Sequence, residues 1–363
     1  MLTSLKDSLL QKIAKMPYSE HGWEGYIFNK DKGQYVYSDA NATFDEERRY
    51  AFASRLKDEF LASKDEEYGV WQFQEVRPCE YYIYNIKTNE YLYAPEDGVY
   101  DSKRRQVFTW RGGDIDEYGV WRVEPTKHGA FYISSKILEE YLYVADHDPF
   151  DTDRNRLFTW RAKSKDADCV FFLKDKDSTG SLASLKLRLL RKTSKMPYSE
   201  HGWECYLFNK DKGQFLYSDA NATFDEERRY AFASRLKDEF LASKDAEYGL
   251  WQFQLVRPCE YYIFNLKTNE YLSAPEDKVY DKKRRQVFTC RGGEVDEHCI
   301  WRLEPTKHGA YYISSKMLEE YLYVGDHDPF DADRSRLFTW RPKSKDDDCV
   351  FLLKDKDSVS VAD

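Results

Sequence analysis

The chain has 363 residues, 41% of them hydrophobic, with a mean hydropathy of −0.80, and no apolar run approaches the roughly 20 residues needed to cross a bilayer as a helix. Its 56 basic and 65 acidic residues leave a net charge of −9 with both signs mixed along the chain, so nothing draws it toward a phosphate backbone and no nucleic-acid partner is expected. Aromatic residues reach 17%, with 29 Tyr, 22 Phe and 9 Trp, an excess over what a core of this size needs.

Residues 1–19 open with Leu2, Leu5, Leu9, Ile13 and Met16 spaced along one helical face, which predicts a short amphipathic helix. This segment lacks the basic stretch, continuous apolar run and cleavage site of a secretory signal, so a cytoplasmic location is expected on this ground. From residue 20 to 176 the pattern changes to period-two alternation over four to six residues, bounded by Gly, Asp, Asn and Lys, which is the signature of strands. Tyr82-Ile83-Tyr84-Asn85, Tyr91-Leu92-Tyr93-Ala94, Gln106 to Arg111 and Val120-Trp121-Arg122-Val123 predict four strands in one unit of about 50 residues. The first unit is longer, because Leu56 to Ala62 adds a stretch that predicts a helical turn. A second amphipathic segment with Leu182, Leu185, Leu189 and Met196 lies in 177–199, after which 200–356 repeats the strand pattern and 357–363 form a tail.

The repetition is a tandem duplication. Tyr37 to Asp65 is identical to Tyr217 to Asp245 in all 29 positions, an offset of 180. Within each half the motif [Phe/Tyr]-Asp-x-x-Arg-x-x-x-Phe-x-x-Arg begins at Phe44, Tyr100 and Phe150, then at Phe224, Tyr280 and Phe330. A lone four-strand unit cannot bury its apolar face or hide its edges, so the units must close on one another. A six-bladed propeller would run its third blade straight into its fourth, whereas here 22 residues, Lys174 to Lys195, intervene and the duplicated object is a set of three. The expected fold is therefore all-β, two tandem β-trefoil domains of three four-stranded units, each preceded by a short amphipathic helix. Phe52, Phe108, Phe158, Trp71, Trp121 and Phe171 recur once per unit and are expected in the cores, and the Asp and Arg of each motif are expected to pair in a turn.

The segments Tyr82 to Asn85, Tyr91-Leu92, Arg105 to Trp110 and Gly119-Val120-Trp121 resemble the units of the C-terminal trefoil of insect microvitellogenin-type low-molecular-weight lipoproteins. That resemblance spans both halves and implies a non-enzymatic storage protein with affinity for sugars or lipids, in which case the location is extracellular. Trefoils also occur in leaderless, actin-bundling fascins and in ricin-type lectins, whose Gln-x-Trp signature is absent at Trp71-Gln72-Phe73.

The nucleophile-elbow, Walker, His-Glu-x-x-His and Cys-x-x-Cys patterns are all missing, so no enzyme, cofactor or metal is expected. The pairs His21 and His201, His128 and His308, and His147 and His327 have no second ligand at metal spacing. The acidic loops Asp146 to Asp153 and Asp326 to Asp333 have carboxylates but no EF-hand glycine, and are expected to be solvated turns. Asn41-Ala42-Thr43 and Asn221-Ala222-Thr223 match the glycosylation sequon and are expected to be ordinary turns. Seven cysteines preclude a complete disulfide framework. Cys205, Cys290 and Cys299 replace Gly25, Trp110 and Gly119 with no matching change of partner, so all seven are expected to be buried small residues or free thiols. The candidate ligand-binding residues are the Trp-Arg pairs Trp110 and Arg111, Trp160 and Arg161, and Trp340 and Arg341, since ring faces beside guanidinium groups suit sugar stacking or an interface. A position that holds Trp, Ser (Ser54) and Cys (Cys290) in different units is expected to be partly surface-accessible. The expected function is a non-catalytic storage or structural protein binding a carbohydrate or protein partner, with self-association; the alternatives are a fascin-like filament-binding protein and a lectin.

Overall fold

A computed structural model describes residues 22–176 and 202–356, apart from 127–128, 146–152, 162–164, 292–294, 307–308, 326–327, 329–330 and 343–344. The predicted helices in 1–19 and 177–199 lie outside the described residues. The chain divides into two compact units, Met1–Leu187 and Arg188–Asp363, and in each the described residues are almost wholly strand and turn.

The first half begins with β1 (Trp23–Asn29), β2 (Gln34–Thr43), β3 (Arg48–Ser54) and β4 (Val70–Arg77). Its second unit holds β5 (Glu80–Asn85), β6 (Glu90–Tyr93), β7 (Arg104–Gln106), β8 (Phe108–Trp110) and β9 (Val120–Pro125), and its third β10 (Phe131–Ser135), β11 (Tyr141–Val144), β12 (Arg154–Trp160) and β13 (Val170–Asp175). The first and last strands of the units pair antiparallel in a closed ring of six: β1 with β4, β4 with β5, β5 with β9, β9 with β10, β10 with β13, and β13 back to β1. The inner strands fold as hairpins, β2 with β3, β6 with β8 and β11 with β12. These hairpins meet where β3 pairs β8, β7 pairs β12, and β12 pairs β3. Six barrel strands capped by three hairpins are a trefoil-like body, and the second half, β14 (Trp203–Asn209) to β26 (Val350–Asp355), closes the same way. Closure removes the open edges that would otherwise pair between molecules.

The strand expected from Gln106 to Arg111 is broken at Val107. The chain changes partner there: β7 pairs β12, β8 pairs β3 and β6, and the Val107 N–H donates to the Leu157 carbonyl at 3.1 Å. In the third unit β12 runs unbroken across both partners.

The core repeats with the units. Ile27, Ile83 and Ile133 are fully buried, as are Trp71, Trp121 and Phe171. A buried indole needs an acceptor: Trp71 donates to the Val36 carbonyl at 2.9 Å and Trp121 to that of Leu92 at 2.8 Å, while Phe171 has nothing to satisfy. Phe52, Phe108 and Phe158 are buried as expected. The added stretch in the first unit forms a 3-10 helix at Lys57–Ala62. It delivers Phe60 into the core, stacked on Tyr35 with ring centroids 5.4 Å apart. Gly69 leaves the room for that ring, because a Cβ there would lie 2.5 Å from Phe60.

Candidate functional site

The motif turn is built from its aspartate. In the second unit Asp101 Oδ1 accepts from the backbone N–H groups of Lys103 and Arg104, both at 2.8 Å, and Oδ2 accepts from Arg104 Nε at 2.6 Å. The Arg104 bond, opposed by burial and joined by the two backbone donors, holds the Asp101 carboxyl below the usual carboxylate range. The fixed guanidinium lies 4.7 Å from the Tyr100 ring centroid and 5.3 Å from that of Phe158 in the next unit. Arg48 repeats this between Phe44 and Phe108, so the motif clamps each unit to its successor.

A second tie lies beneath. Arg105 reaches the buried Glu140 of the next unit at 3.1 and 3.3 Å, and Thr159 Oγ1 donates to the same carboxylate at 2.6 Å. Arg49 and Glu90 pair likewise at 2.7 Å. At the third junction the pair is neutral, Asn155 Nδ2 donating to Gln34 Oε1 at 2.8 Å.

Against this frame opens a groove of about 550 Å³ lined by Tyr100, Lys103, Arg104, Tyr143, Trp160 and Asp168, among others. Trp160 is half-buried, with Tyr143 edge-on at 5.4 Å and the Lys103 ammonium 6.0 Å from its ring centre. Burial, offset in part by Arg104, pushes the Tyr143 phenol up to about 12, and burial with Asp166 raises the Asp168 carboxyl. The lining thus combines ring faces, cationic donors and a carboxyl group, which suits a polar ligand with flat apolar faces. The second half repeats the arrangement at Trp340, with Tyr323 at 5.4 Å and Lys283 at 5.7 Å.

The three predicted Trp-Arg pairs do not share one environment. Trp110 is half-buried, as expected of a partly accessible position, but it packs tilted against Tyr93 at 5.1 Å and lies so close over Gly112 that a Cβ there would come within 2.5 Å of the indole. The arginines turn back to the preceding motif turn: Arg111 donates to the Glu46 carbonyl at 2.7 Å, Arg161 to that of Asp101 at 3.2 Å and Arg341 to that of Asp281 at 3.2 Å. Tyr143, Lys103 and Asp168 were missed by sequence reasoning, because they come from three separate segments that only the hairpin contacts bring together.

The second acidic loop is not simply solvated at Asp328. Asp328 is buried, with its two oxygens accepting from Arg334 Nε at 2.7 Å and Arg336 Nε at 3.0 Å, so guanidinium groups neutralise the carboxylate expected to face water. Its counterpart segment 146–152 and the three histidine pairs lie outside the described residues. Asn41 is exposed near the end of β2, where the register with β3 shifts, rather than in an isolated turn. None of the seven cysteines is in a disulfide, but the expectation that Cys290 and Cys299 changed without a partner fails. The two thiols interact with each other. Among the described residues no three His, Cys, Asp or Glu side chains form a metal-binding group, and no helix is long and apolar enough to cross a membrane.

No protein-family model matches the sequence, and no curated protein matches it. Among solved structures, the chain is similar to a designed threefold symmetric protein, ThreeFoil, at 11% identity and TM-score 0.33, over 42% of this chain and 98% of that one. It is similar to the Haemophilus ducreyi cytolethal distending toxin at 14% identity and TM-score 0.33, over 44% and 88%. A Caenorhabditis elegans protein of unknown function matches at 14% identity and TM-score 0.35, over 45% and 98%. The trefoil-like description of each half rests on its own strand pairing.

Proposed function

We propose that this protein acts by binding rather than catalysis, as a storage or structural protein of two β-trefoils, spanning 20–176 and 200–356, that holds carbohydrate in the groove beside Trp160 and against the matching Trp340. The observation that carries this reading is the groove at Trp160, where a half-buried indole and Tyr143 stand beside Lys103, Arg104 and Asp168. Sugar rings present C–H faces to an indole and hydroxyls to charged side chains, and this lining offers both. The resemblance to the trefoils of insect microvitellogenin-type lipoproteins points the same way. A glycan array on the intact protein tests the proposal. Binding to a defined glycan class is expected, lost in Trp160→Ala with Trp340→Ala while the far-ultraviolet circular dichroism is retained; no bound glycan, or binding indifferent to both substitutions, would contradict it.

A second reading, a filament-binding interaction protein, is favoured by the duplication itself, because two copies of one surface in a chain permit bivalent attachment. Co-sedimentation with actin filaments tests it: pelleting with the filaments supports this reading and its absence removes it.

A further inference from the structure

The two halves differ most pointedly at one corner of the second unit. In the first half Tyr93 packs on Trp110 at 5.1 Å and on Tyr118 at 6.4 Å. A Cβ at Gly119 would meet the Ile115 side chain at 2.1 Å, so a side chain there requires Ile115 to give way. In the second half the corresponding residues are Ser273, Cys290, His298, Cys299 and Val295. Two rings are removed, a third is exchanged for an imidazole, the isoleucine is shortened by one carbon, and the glycine becomes a cysteine. These changes fit one another: shortening Ile115 to Val295 clears the place for the Cys299 side chain, and loss of the Tyr93 and Trp110 rings opens the space in front of it.

Cys290 lies on β21 (Phe288–Arg291), paired with Tyr271 of β19 (Glu270–Ser273) on one side and with Arg228 on the other. Cys299 ends the 3-10 turn Glu297–Cys299, which is tied to the end of β19 by the Ala274 N–H donating to the His298 carbonyl at 3.1 Å. Cys299 clusters with Tyr262 and Ile300, and Tyr271, the cross-strand partner of Cys290, packs against that cluster, so the two cysteines flank one tyrosine and each thiol shifts the titration of the other. Cys290 is half-buried, whereas Cys299 is buried.

We propose that Cys290 and Cys299 form a peroxide-oxidisable dithiol, a modification site present in the second half alone. The Cys290 thiolate attacks one oxygen of a hydroperoxide; the O–O bond breaks and, with hydrogen peroxide, hydroxide leaves and takes up the proton the thiol had released, giving one water and a sulfenic acid. The Cys299 sulfur then attacks the Cys290 sulfur, the S–O bond breaks, and the departing hydroxide takes the Cys299 proton as a second water. Two thiols lose two electrons to one peroxide and a disulfide remains. The roles follow from the surroundings. The neighbouring Cys299, with Ser273 and the Arg228 charge, draws the Cys290 thiol below its ordinary range against the effect of burial, while Cys290 and burial push the Cys299 thiol well up. Burial raises the thiols of Cys169, Cys205 and Cys349, which leaves them unreactive by comparison. A metal would need further ligands, and no third His, Cys, Asp or Glu among the described residues completes such a group.

The test is treatment of the intact folded protein with hydrogen peroxide, followed by blocking of free thiols, digestion without reduction and mass spectrometry. The expected product is one disulfide linking Cys290 to Cys299, reversed by dithiothreitol. Before oxidation Cys290 should alkylate about tenfold faster than the other cysteines. Cys299→Ser should halt the reaction at a Cys290 sulfenic acid that dimedone traps, and Cys290→Ser should leave Cys299 reduced. The proposal is overturned if both cysteines stay reduced in the folded protein, if another cysteine oxidises first, or if Cys299 oxidises equally well in Cys290→Ser.

Discussion

Arg105 and Glu140 meet in a layer where both side chains are buried. Removing one partner of such a pair leaves the other charged and unpaired, which typically costs about 3 to 5 kcal/mol. Arg105→Ala is therefore expected to lower stability to urea by that amount. The third junction has the uncharged solution, Asn155 with Gln34, so the double variant Arg105→Asn with Glu140→Gln should recover most of the loss. If Arg105→Ala is as stable as the parent protein, the tie contributes nothing. Buried phenols make a second prediction. Burial raises Tyr143, Tyr262 and Tyr323 from 10.0 to about 12, so the folded state keeps protons that the unfolded chain has released. The stability they contribute is complete below pH 10 and is lost as pH rises from 10 toward 12. Melting temperatures across this range, followed by tryptophan fluorescence, should fall steeply; a flat profile would mean that these phenols ionise freely in the folded state.

At the scale of elements, each unit turns its first hairpin through a residue with positive φ: Gly33 at 66°, Asn89 at 56° and Glu139 at 53°. Glycine takes this conformation without the steric penalty of a side chain. Glu139→Gly should therefore stabilise the first half by about 1 kcal/mol in urea melts, and a loss of stability would show that the Glu139 side chain outweighs its backbone cost. Phe60 is the opposite case, a large ring carried into the core by a short helical segment, and Phe60→Ala should cost about 3 to 5 kcal/mol. Most strands were legible because alternation at period two marks a half-buried strand wherever it occurs, and the Asp-x-x-Arg turn was legible because its bonds are local. The break at Val107 was not, since it arises from a change of pairing partner and not from any residue in the strand. For the same reason Trp160 was found by its aromatic-basic segment while Tyr143, Lys103 and Asp168 were not. The cysteine pair escaped because Cys290 and Cys299 are joined by a packing corner whose first-half occupants are aromatic.

Across the whole molecule, the duplication and its set of three were plain from the offset of 180 and the recurring motif, and strand pairing closes the ring inside each half. Closure within a half means that every barrel strand of residues 23–175 finds its neighbours in that half. The direct test is to express residues 1–187 and 188–363 separately and follow denaturation of each by urea. Each half is expected to unfold in a single cooperative transition with a β-rich far-ultraviolet spectrum before denaturation. Halves that are unfolded alone and acquire structure only when joined would contradict closure in threes and indicate a body built from all six units.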